Sequence, residues 1–280
     1  MKKLLTLIAA ACMINSAEAQ LKTPAPSPLQ TVTQAFGLGE IKIEYSRPSA
    51  KGRKIYGDLV AFGKMWRTGA NQSTKITFAD DIKVNGTDVK AGTYALYTIP
   101  NMGEWDMMLY KDLTLGGSTD EYKMENELMR FKAKAQDTKD FTETFTITVN
   151  NITSTSCSID LVWANTKVSI PVTTVIDDKV MKNIEKEMAN DKRPYFSAAN
   201  YYFENGKDLN KAAEWINKAV EINPNAYWIW HVKAKINAKQ GNKAEAMKAA
   251  ETSMEKAKED KNDDYVKMNE KIIAEIKAMK

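Results

Sequence analysis

The hydrophobic period of the chain changes near Asp177, and this change limits the possible folds more than any other feature. Before it, apolar and polar residues alternate, and single threonines separate Phe145, Ile147 and Val149. A period of two residues is typical of β-strands with one buried face. After it, every fourth residue over Val180–Met188 is apolar, which is the stripe of an amphipathic helix. The chain is therefore predicted to contain a β part followed by a helical part.

Short alternating segments recur at regular spacing through the first part of the chain. Ile82 and Val84 lead into Asn85-Gly86, a dipeptide favoured in two-residue hairpins because both turn positions need positive φ. Several such segments with turn signals between them are typical of sandwiches and barrels. The sequence predicts a mainly β N-terminal domain, antiparallel and sandwich- or jelly-roll-like, over residues 29–176.

The helical part contains a repeat of 34 residues in which small and apolar residues return at matching positions. Such residues would let paired helices approach closely, and the pattern resembles the tetratricopeptide repeat. We predict an all-α, tetratricopeptide-like tail over residues 177–280, which either takes up a protein segment or packs on the β-domain. The matching pairs are Phe196 and Trp230, Ala212 and Ala246, Ile216 and Ala250, and Ala219 and Ser253.

Residues 1–19 have the three parts of a secretory signal peptide. Two lysines are followed by an apolar stretch and by a small-x-small site that ends at Ala19. Cleavage after Ala19 is predicted, followed by a proline-rich linker over residues 20–28 in an exported protein, periplasmic or extracellular. Lipidation at Cys12 is the alternative, which is disfavoured because Ala9 occupies the place of the usual branched apolar residue. No later segment is apolar over the length that a membrane span requires.

The inventory of reactive side chains excludes several kinds of site. The chain has one histidine, His231, and two cysteines, Cys12 and Cys157, so no intramolecular disulfide is expected after cleavage. Histidine-dependent triads, multi-histidine zinc sites and cysteine metal clusters are excluded, and no metal site or cofactor is predicted. The formal net charge of +4 predicts no general affinity for nucleic acid.

The segment Ser46–Gln72 follows neither period, yet it is too apolar for a disordered loop. Eight basic and two acidic residues lie between Lys42 and Lys75, and arginine forks suit carboxylate, phosphate or sulfate. We therefore predict a ligand site with basic groups and an aromatic wall. The alternative is that Arg47 and Arg67 bind backbone carbonyls or buried acids and only fasten the loop. The predicted site residues are Arg47, Lys51, Arg53, Tyr56, Trp66, Arg67 and Asn71.

Four short runs in this part of the chain resemble the signature blocks of a bacterial family catalogued as domain of unknown function 2911. The resemblance covers roughly residues 26–172, and it implies an exported protein with repeat segments after the domain. It implies no activity, substrate or catalytic residue. The runs are Tyr45-Ser46-Arg47-Pro48-Ser49, Lys51-Gly52-Arg53, Trp66-Arg67-Thr68-Gly69-Ala70-Asn71 and Ala91-Gly92-Thr93-Tyr94-Ala95-Leu96.

Two functions fit the sequence. The first is an envelope binding or scaffold protein, whose β-domain holds an anionic or glycan-like ligand through the Ser46–Gln72 loop while the tail contacts a protein segment. The alternative is a histidine-independent hydrolase that uses paired carboxylates, for example on a glycoside. No spacing selects two carboxylates, so no catalytic residue is predicted and binding is favoured. The carboxylates considered are Asp58, Asp80, Asp81, Glu104 and Asp106.

Overall fold

The computed structural model describes residues 23–279, so the predicted signal peptide and part of the predicted linker lie outside the described residues. The chain divides into two compact units between Ile176 and Asp177. The first unit contains a nine-stranded antiparallel sheet and the second contains six helices within the described range. The predicted class, a mainly β domain followed by an all-α region, is confirmed.

The strands form one sheet in the order β1-β2-β3-β6-β7-β8-β9-β4-β5, and each neighbouring pair is antiparallel. A single 3₁₀ turn, Met124–Asn126, precedes β8. The strands are β1 (Leu29–Phe36), β2 (Gly39–Ser46), β3 (Ala70–Phe78), β4 (Ile82–Val84), β5 (Thr87–Val89), β6 (Gly92–Ile99), β7 (Glu104–Tyr110), β8 (Glu127–Asn150) and β9 (Ser156–Thr173).

The sheet folds over its own core because β8 pairs with different neighbours along its length. Residues 127–134 of β8 pair with β7, whereas residues 135–150 pair with β9. At the far end, Phe145 N donates to Pro48 O (2.9 Å) and Ser49 forms a bridge with Thr144. The two halves therefore enclose a common hydrophobic core. Its large, almost fully buried side chains include Tyr45, Phe78, Leu96, Trp105, Phe145 and Trp163.

A smaller apolar cluster lies on the outer face of the sheet. Tyr97 and Tyr110 contribute to it, and the segment Lys111–Asn126 covers it with Leu115 and Tyr122. The rings of Tyr110 and Tyr122 stack with centroids 4.4 Å apart. This second cluster holds a long connection against the sheet.

The helices of the second unit pack mainly as sequential neighbours. Six of the eight repeat positions are buried, as a tetratricopeptide-like packing requires, and Phe196 and Trp230 are half-buried against the same core. The buried positions are Ala212, Ile216, Ala219, Ala246, Ala250 and Ser253. No helix within residues 23–279 has the length and apolar character to cross a bilayer. The helices are α1 (Asp177–Met188), α2 (Tyr195–Glu204), α3 (Leu209–Ile222), α4 (Tyr227–Lys239), α5 (Lys243–Glu259) and α6 (Asp263–Ala278).

Candidate functional site

The long loop between β2 and β3 is fastened by two of its arginines. Arg47 Nε donates to Phe145 O (3.0 Å) and Arg47 Nη2 donates to Thr146 Oγ1 (2.7 Å). Arg53 Nε donates to Ala50 O (2.9 Å), and its Nη2 donates to Ser49 O (2.7 Å). Because carbonyl and hydroxyl oxygens occupy these donors, Arg47 has the contacts expected from the fastening alternative, and Arg53 is held in a similar way although that alternative did not include it.

The other polar residues predicted for the site have separate contacts. The backbone N–H of Lys51 donates to Glu143 Oε1 (2.7 Å), and Asn71 Nδ2 donates to Ser46 Oγ (3.2 Å). Arg67 Nη1 donates to Gly117 O (3.3 Å). The hydrogen bonds of Arg47, Arg53 and Arg67 therefore lead to three different parts of the backbone. An anion site shared by all of these residues stays a prediction.

The two aromatic residues predicted for the site do come together. The ring centroids of Tyr56 and Trp66 are 6.3 Å apart, and Tyr56 lies 4.9 Å from the buried ring of Trp105. Trp66 also stacks on Trp163 with centroids 6.0 Å apart, while its Nε1 donates to Gly69 O. The loop therefore inserts an aromatic pair into the end of the sheet core.

A cavity of about 290 Å³ opens beside this aromatic cluster. Tyr56 contributes aromatic surface with the buried ring of Trp105 behind it, and Phe62 and Met102 contribute exposed apolar surface, 40% and 86% exposed respectively. The polar lining consists of an amide, a carboxylate and two hydroxyls, one of which is that of Tyr56. The complete lining is Tyr56, Phe62, Asn101, Met102, Gly103, Trp105, Ala135, Asp137 and Thr166.

Backbone features of the loop place Tyr56 and Phe62 at the cavity. Gly57 has φ +83°, and a Cβ on it would lie 2.7 Å from the Phe62 ring, so a side chain there would be strained and would displace the ring. Gly63 N donates to Pro100 O (2.9 Å), and Trp66 N donates to Thr98 O (2.7 Å). These bonds tie the loop to the end of β6, next to Asn101 and Met102.

Like the side chains of Asn101, Asp137 and Thr166, the Tyr56 hydroxyl lacks a hydrogen-bond partner on the described protein. None of residues 23–279 forms a hydrogen bond with it. Burial raises the pKa of Tyr56 well above its usual range, so the phenol stays protonated at physiological pH. The group is therefore a neutral donor and acceptor available to a ligand in the cavity.

The carboxylates considered for hydrolysis are not gathered at this cavity. Glu104 and Asp106 both lie within 4 Å of Lys132 Nζ (3.8 and 3.3 Å). Asp81 accepts from Ala91 N (2.9 Å) and forms an ion pair with Lys90. Asp137 is the single carboxylate among the residues that line the cavity. Within residues 23–279 no group of three or more His, Cys, Asp or Glu side chains could hold a metal ion.

Sequence reasoning missed most of the cavity lining. Asn101, Met102 and Gly103 come from the β6–β7 turn, and Asp137 and Thr166 lie near irregular points of β8 and β9. A break in alternation at residues 137–140 marks one of these points, yet nothing in the sequence places it near Tyr56. The grouping depends on strand pairing between distant segments.

Comparison with known proteins gives a family but no characterised relative. No curated protein matches the chain. The profile of the family described as "Protein of unknown function (DUF2911)" matches residues 27–172, a range that includes the loop and every residue lining the cavity. The match confirms the resemblance seen in the signature runs. The chain belongs to the DUF2911 family.

Proposed function

We propose that this chain is a binding protein whose β-domain holds a neutral, hydroxyl-rich ligand, such as a short oligosaccharide, in the cavity beside Tyr56 and Trp105. The unpartnered hydroxyl of Tyr56 carries the proposal. No protein group occupies this hydroxyl, so a ligand hydroxyl can form a hydrogen bond with it without breaking one on the protein.

The chemistry of the lining supports a sugar-like ligand. Aromatic rings offer flat apolar surface to the C–H faces of a sugar, and a few placed polar groups fix its orientation. Asn101, Asp137 and Thr166 supply an amide, a carboxylate and a hydroxyl for this purpose. Phe62 and Met102 extend the apolar surface beyond the cavity.

Charge favours a neutral ligand at this cavity over an anionic one. Asp137 is the only charged residue in the lining, and a carboxylate repels an anion in a partly desolvated site. Glycoside hydrolysis by paired carboxylates needs a second acid or base beside the first, and the lining supplies one carboxylate. We therefore propose binding rather than hydrolysis.

The test is calorimetric titration of the protein with neutral oligosaccharides, uronic acids and quaternary ammonium compounds, the last because aromatic rings with a carboxylate also suit cations. Tyr56→Phe is expected to weaken neutral-sugar binding about tenfold, the effect of one lost hydrogen bond. The unfolding free energy should stay the same or rise, since the deleted hydroxyl has no partner on the protein.

Tyr94→Phe is the matched control because its hydroxyl already donates to Lys90 O (3.0 Å) and it is not part of the cavity lining. It should leave sugar affinity unchanged. Selective binding of uronic acids would contradict the neutral-ligand proposal, and equal affinity of Tyr56→Phe and wild type for the sugar would remove Tyr56 from the site.

We further propose that the protein acts outside the cytoplasm and that the helical tail contacts a protein segment. A cavity of about 380 Å³ in the second unit, lined by Phe203, Ala238, Ile272 and Ile276 among others, supports the second part. Sequencing the N-terminus of the secreted or periplasmic form tests the first part. The expected first residue is Gln20, whereas a lipid-modified Cys12 would indicate anchoring.

A further inference from the structure

Arg67 has a buried nitrogen without an acceptor. Its Nε is closed to solvent and makes no hydrogen bond, while Nη1 makes one long bond to Gly117 O (3.3 Å). No carboxylate of residues 23–279 forms an ion pair with this guanidinium. A partly buried positive charge is therefore left without a negative partner on the described protein.

Ser73 has a second unpartnered buried atom in the same neighbourhood. Ser73 is 3% exposed and its Oγ has no hydrogen-bond partner. The Ser73 N–H donates to Gly116 O (3.1 Å), next to the glycine that Arg67 contacts, and Thr74 N donates to Arg67 O (3.2 Å). Arg67 and Ser73 are thus held by the same glycine pair and by adjoining backbone.

The Tyr97 hydroxyl, which lies beside Ser73, is not a counter-charge. Tyr97 donates its hydroxyl proton to Gly116 O (3.0 Å). Burial raises the pKa of Tyr97 more than the neighbouring Ser73 hydroxyl lowers it, so Tyr97 stays neutral at physiological pH. A buried N–H without an acceptor is costly, and an unpaired buried charge is more so. A bound water would satisfy the hydrogen bonds but would not neutralise the positive charge of the Arg67 guanidinium.

We propose that a small inorganic anion of the halide class binds between Arg67 Nε and Ser73 Oγ. Both atoms would donate to it, and its charge would neutralise the guanidinium. Since neither atom is open to bulk solvent, a monatomic ion would be accommodated there more easily than a phosphate or sulfate ester. The ion would join β3 to the segment Lys111–Asn126, because Gly116 and Gly117 belong to that segment.

The direct test is crystallography in sodium bromide, with data collected at the bromine absorption edge. The expected result is an anomalous peak within hydrogen-bond distance of Arg67 Nε and Ser73 Oγ. Ordinary water density at this position without anomalous signal would overturn the proposal, as would a protein acceptor on Arg67 Nε.

A solution test compares unfolding midpoints in sodium bromide and in sodium gluconate at equal ionic strength. An ion that binds only the folded state raises the midpoint with its concentration. Wild type and Arg53→Met are expected to show this rise, because Arg53 donates to Ala50 and Ser49 instead. Arg67→Met should show none.

Two milder variants keep the test decisive if Arg67→Met fails to fold. Arg67→Lys keeps the charge but loses the Nε donor, and Ser73→Ala loses the hydroxyl. Each is expected to weaken the affinity for bromide about tenfold, the effect of one lost charge-assisted hydrogen bond. An unchanged bromide response in both variants would overturn the site. Neither residue lines the cavity beside Tyr56, so the outcome is independent of sugar binding.

Discussion

At the scale of single residues, His231 joins three helices of the second unit through buried hydrogen bonds. Its Nδ1 lies 2.8 Å from Asn269 Oδ1, and Asn269 Nδ2 donates to Ser253 Oγ (2.8 Å). Because Asn269 uses its amide group as a donor, its oxygen is the acceptor and His231 Nδ1 bears the proton. Burial lowers the pKa of His231 and so does Lys235, while the bond to Asn269 raises it.

The lowered pKa predicts an acid-sensitive stability. The unfolded chain, with a histidine pKa of about 6.5, binds more protons than the folded chain just below that pH. The contribution of His231 to the free energy of unfolding should therefore be fully present above about pH 6.5. It should decrease as the pH falls toward the pKa of the folded state. Urea unfolding of the chain between about pH 7.5 and 5 measures this, with helical circular dichroism as the signal.

His231→Gln is the matched variant because its amide can donate to Asn269 without titrating. It should show little pH dependence in this window. Burial raises the pKa of Asp160, but its bonds to Lys167 and Asn150 lower it more, and Lys207 and Tyr201 lower that of Asp177, so both stay ionised there. An equal slope in His231→Gln and wild type would assign the effect to other groups.

The orientation of single arginines could not be predicted from sequence. Arg47 and Arg67 belong to a strongly basic segment of a nearly neutral chain. From the sequence alone, these arginines could either bind a ligand or fasten the loop. The acceptors of Arg47 come from residues 98 and 99 positions away, so only strand pairing reveals them. Tyr56 and Trp66 were more predictable, because large apolar groups in an ordered loop must be covered.

At the scale of elements, the long strands show what alternation can predict and what it cannot. Residues alternate in character over Met129–Ala135 and again over Phe141–Val149, a pattern that favours two strands. Both segments are parts of the single strand β8, which has register shifts between Asp137 and Thr146. The strand β9 is likewise continuous although its buried apolar positions change from odd-numbered to even-numbered residues. Ala164, with φ +50°, lies at this change. Bulges bend a strand without ending it, and their polar residues resemble turns in sequence.

The close approach of Gly117 to the Asn71 backbone predicts that glycine is required at this position of the segment Lys111–Asn126. A Cβ on Gly117 would overlap with the Asn71 carbonyl oxygen, a backbone atom that cannot move aside cheaply. Gly117→Ala should lower the free energy of unfolding by about 2 kcal/mol or more and release the segment Lys111–Asn126. Hydrogen exchange and tryptic cleavage at Lys111 and Lys123 report that release.

Gly52→Ala is the control for this prediction. Gly52 has φ +72° but nothing within 4 Å of its Cβ position, so the change costs about 1 kcal/mol of backbone strain and leaves Lys111–Asn126 protected. Protection of this segment in Gly117→Ala as well would show that the contact with Asn71 is not required.

The tetratricopeptide-like packing predicts that small residues are needed between the helices. Ala250 is fully buried on α5, whereas Ala244 is exposed on the same helix. Ala250→Leu should lower the unfolding free energy by about 1–3 kcal/mol through overpacking, while Ala244→Leu should change it little. Denaturant unfolding of both variants measures the difference, and equal stabilities would contradict the repeat assignment.

At the scale of the whole molecule, the change of hydrophobic period and the division into two units fall at the same place, Asp177. Each unit encloses a core of its own residues. The class of each unit was predictable because period and repeat length are local properties. Strand order and the cavity were not, since they depend on contacts between distant segments.

Separate cores predict separate folding. A fragment of residues 20–176 is expected to unfold cooperatively, with the β-sheet circular dichroism of the first unit. Calorimetry of the full chain should then show two transitions, one of which matches the fragment. A fragment that is unfolded in buffer, or a full chain with a single transition, would contradict this prediction.

Three of the six tryptophans of the chain, Trp66, Trp105 and Trp163, lie in the aromatic cluster next to the cavity. An occupant would displace water from the wall formed by Tyr56, whose ring packs against Trp105, and change the polarity around these indoles. Their emission spectrum should therefore shift with occupancy. The protein thus contains its own optical reporter of ligand capture, which requires no attached dye.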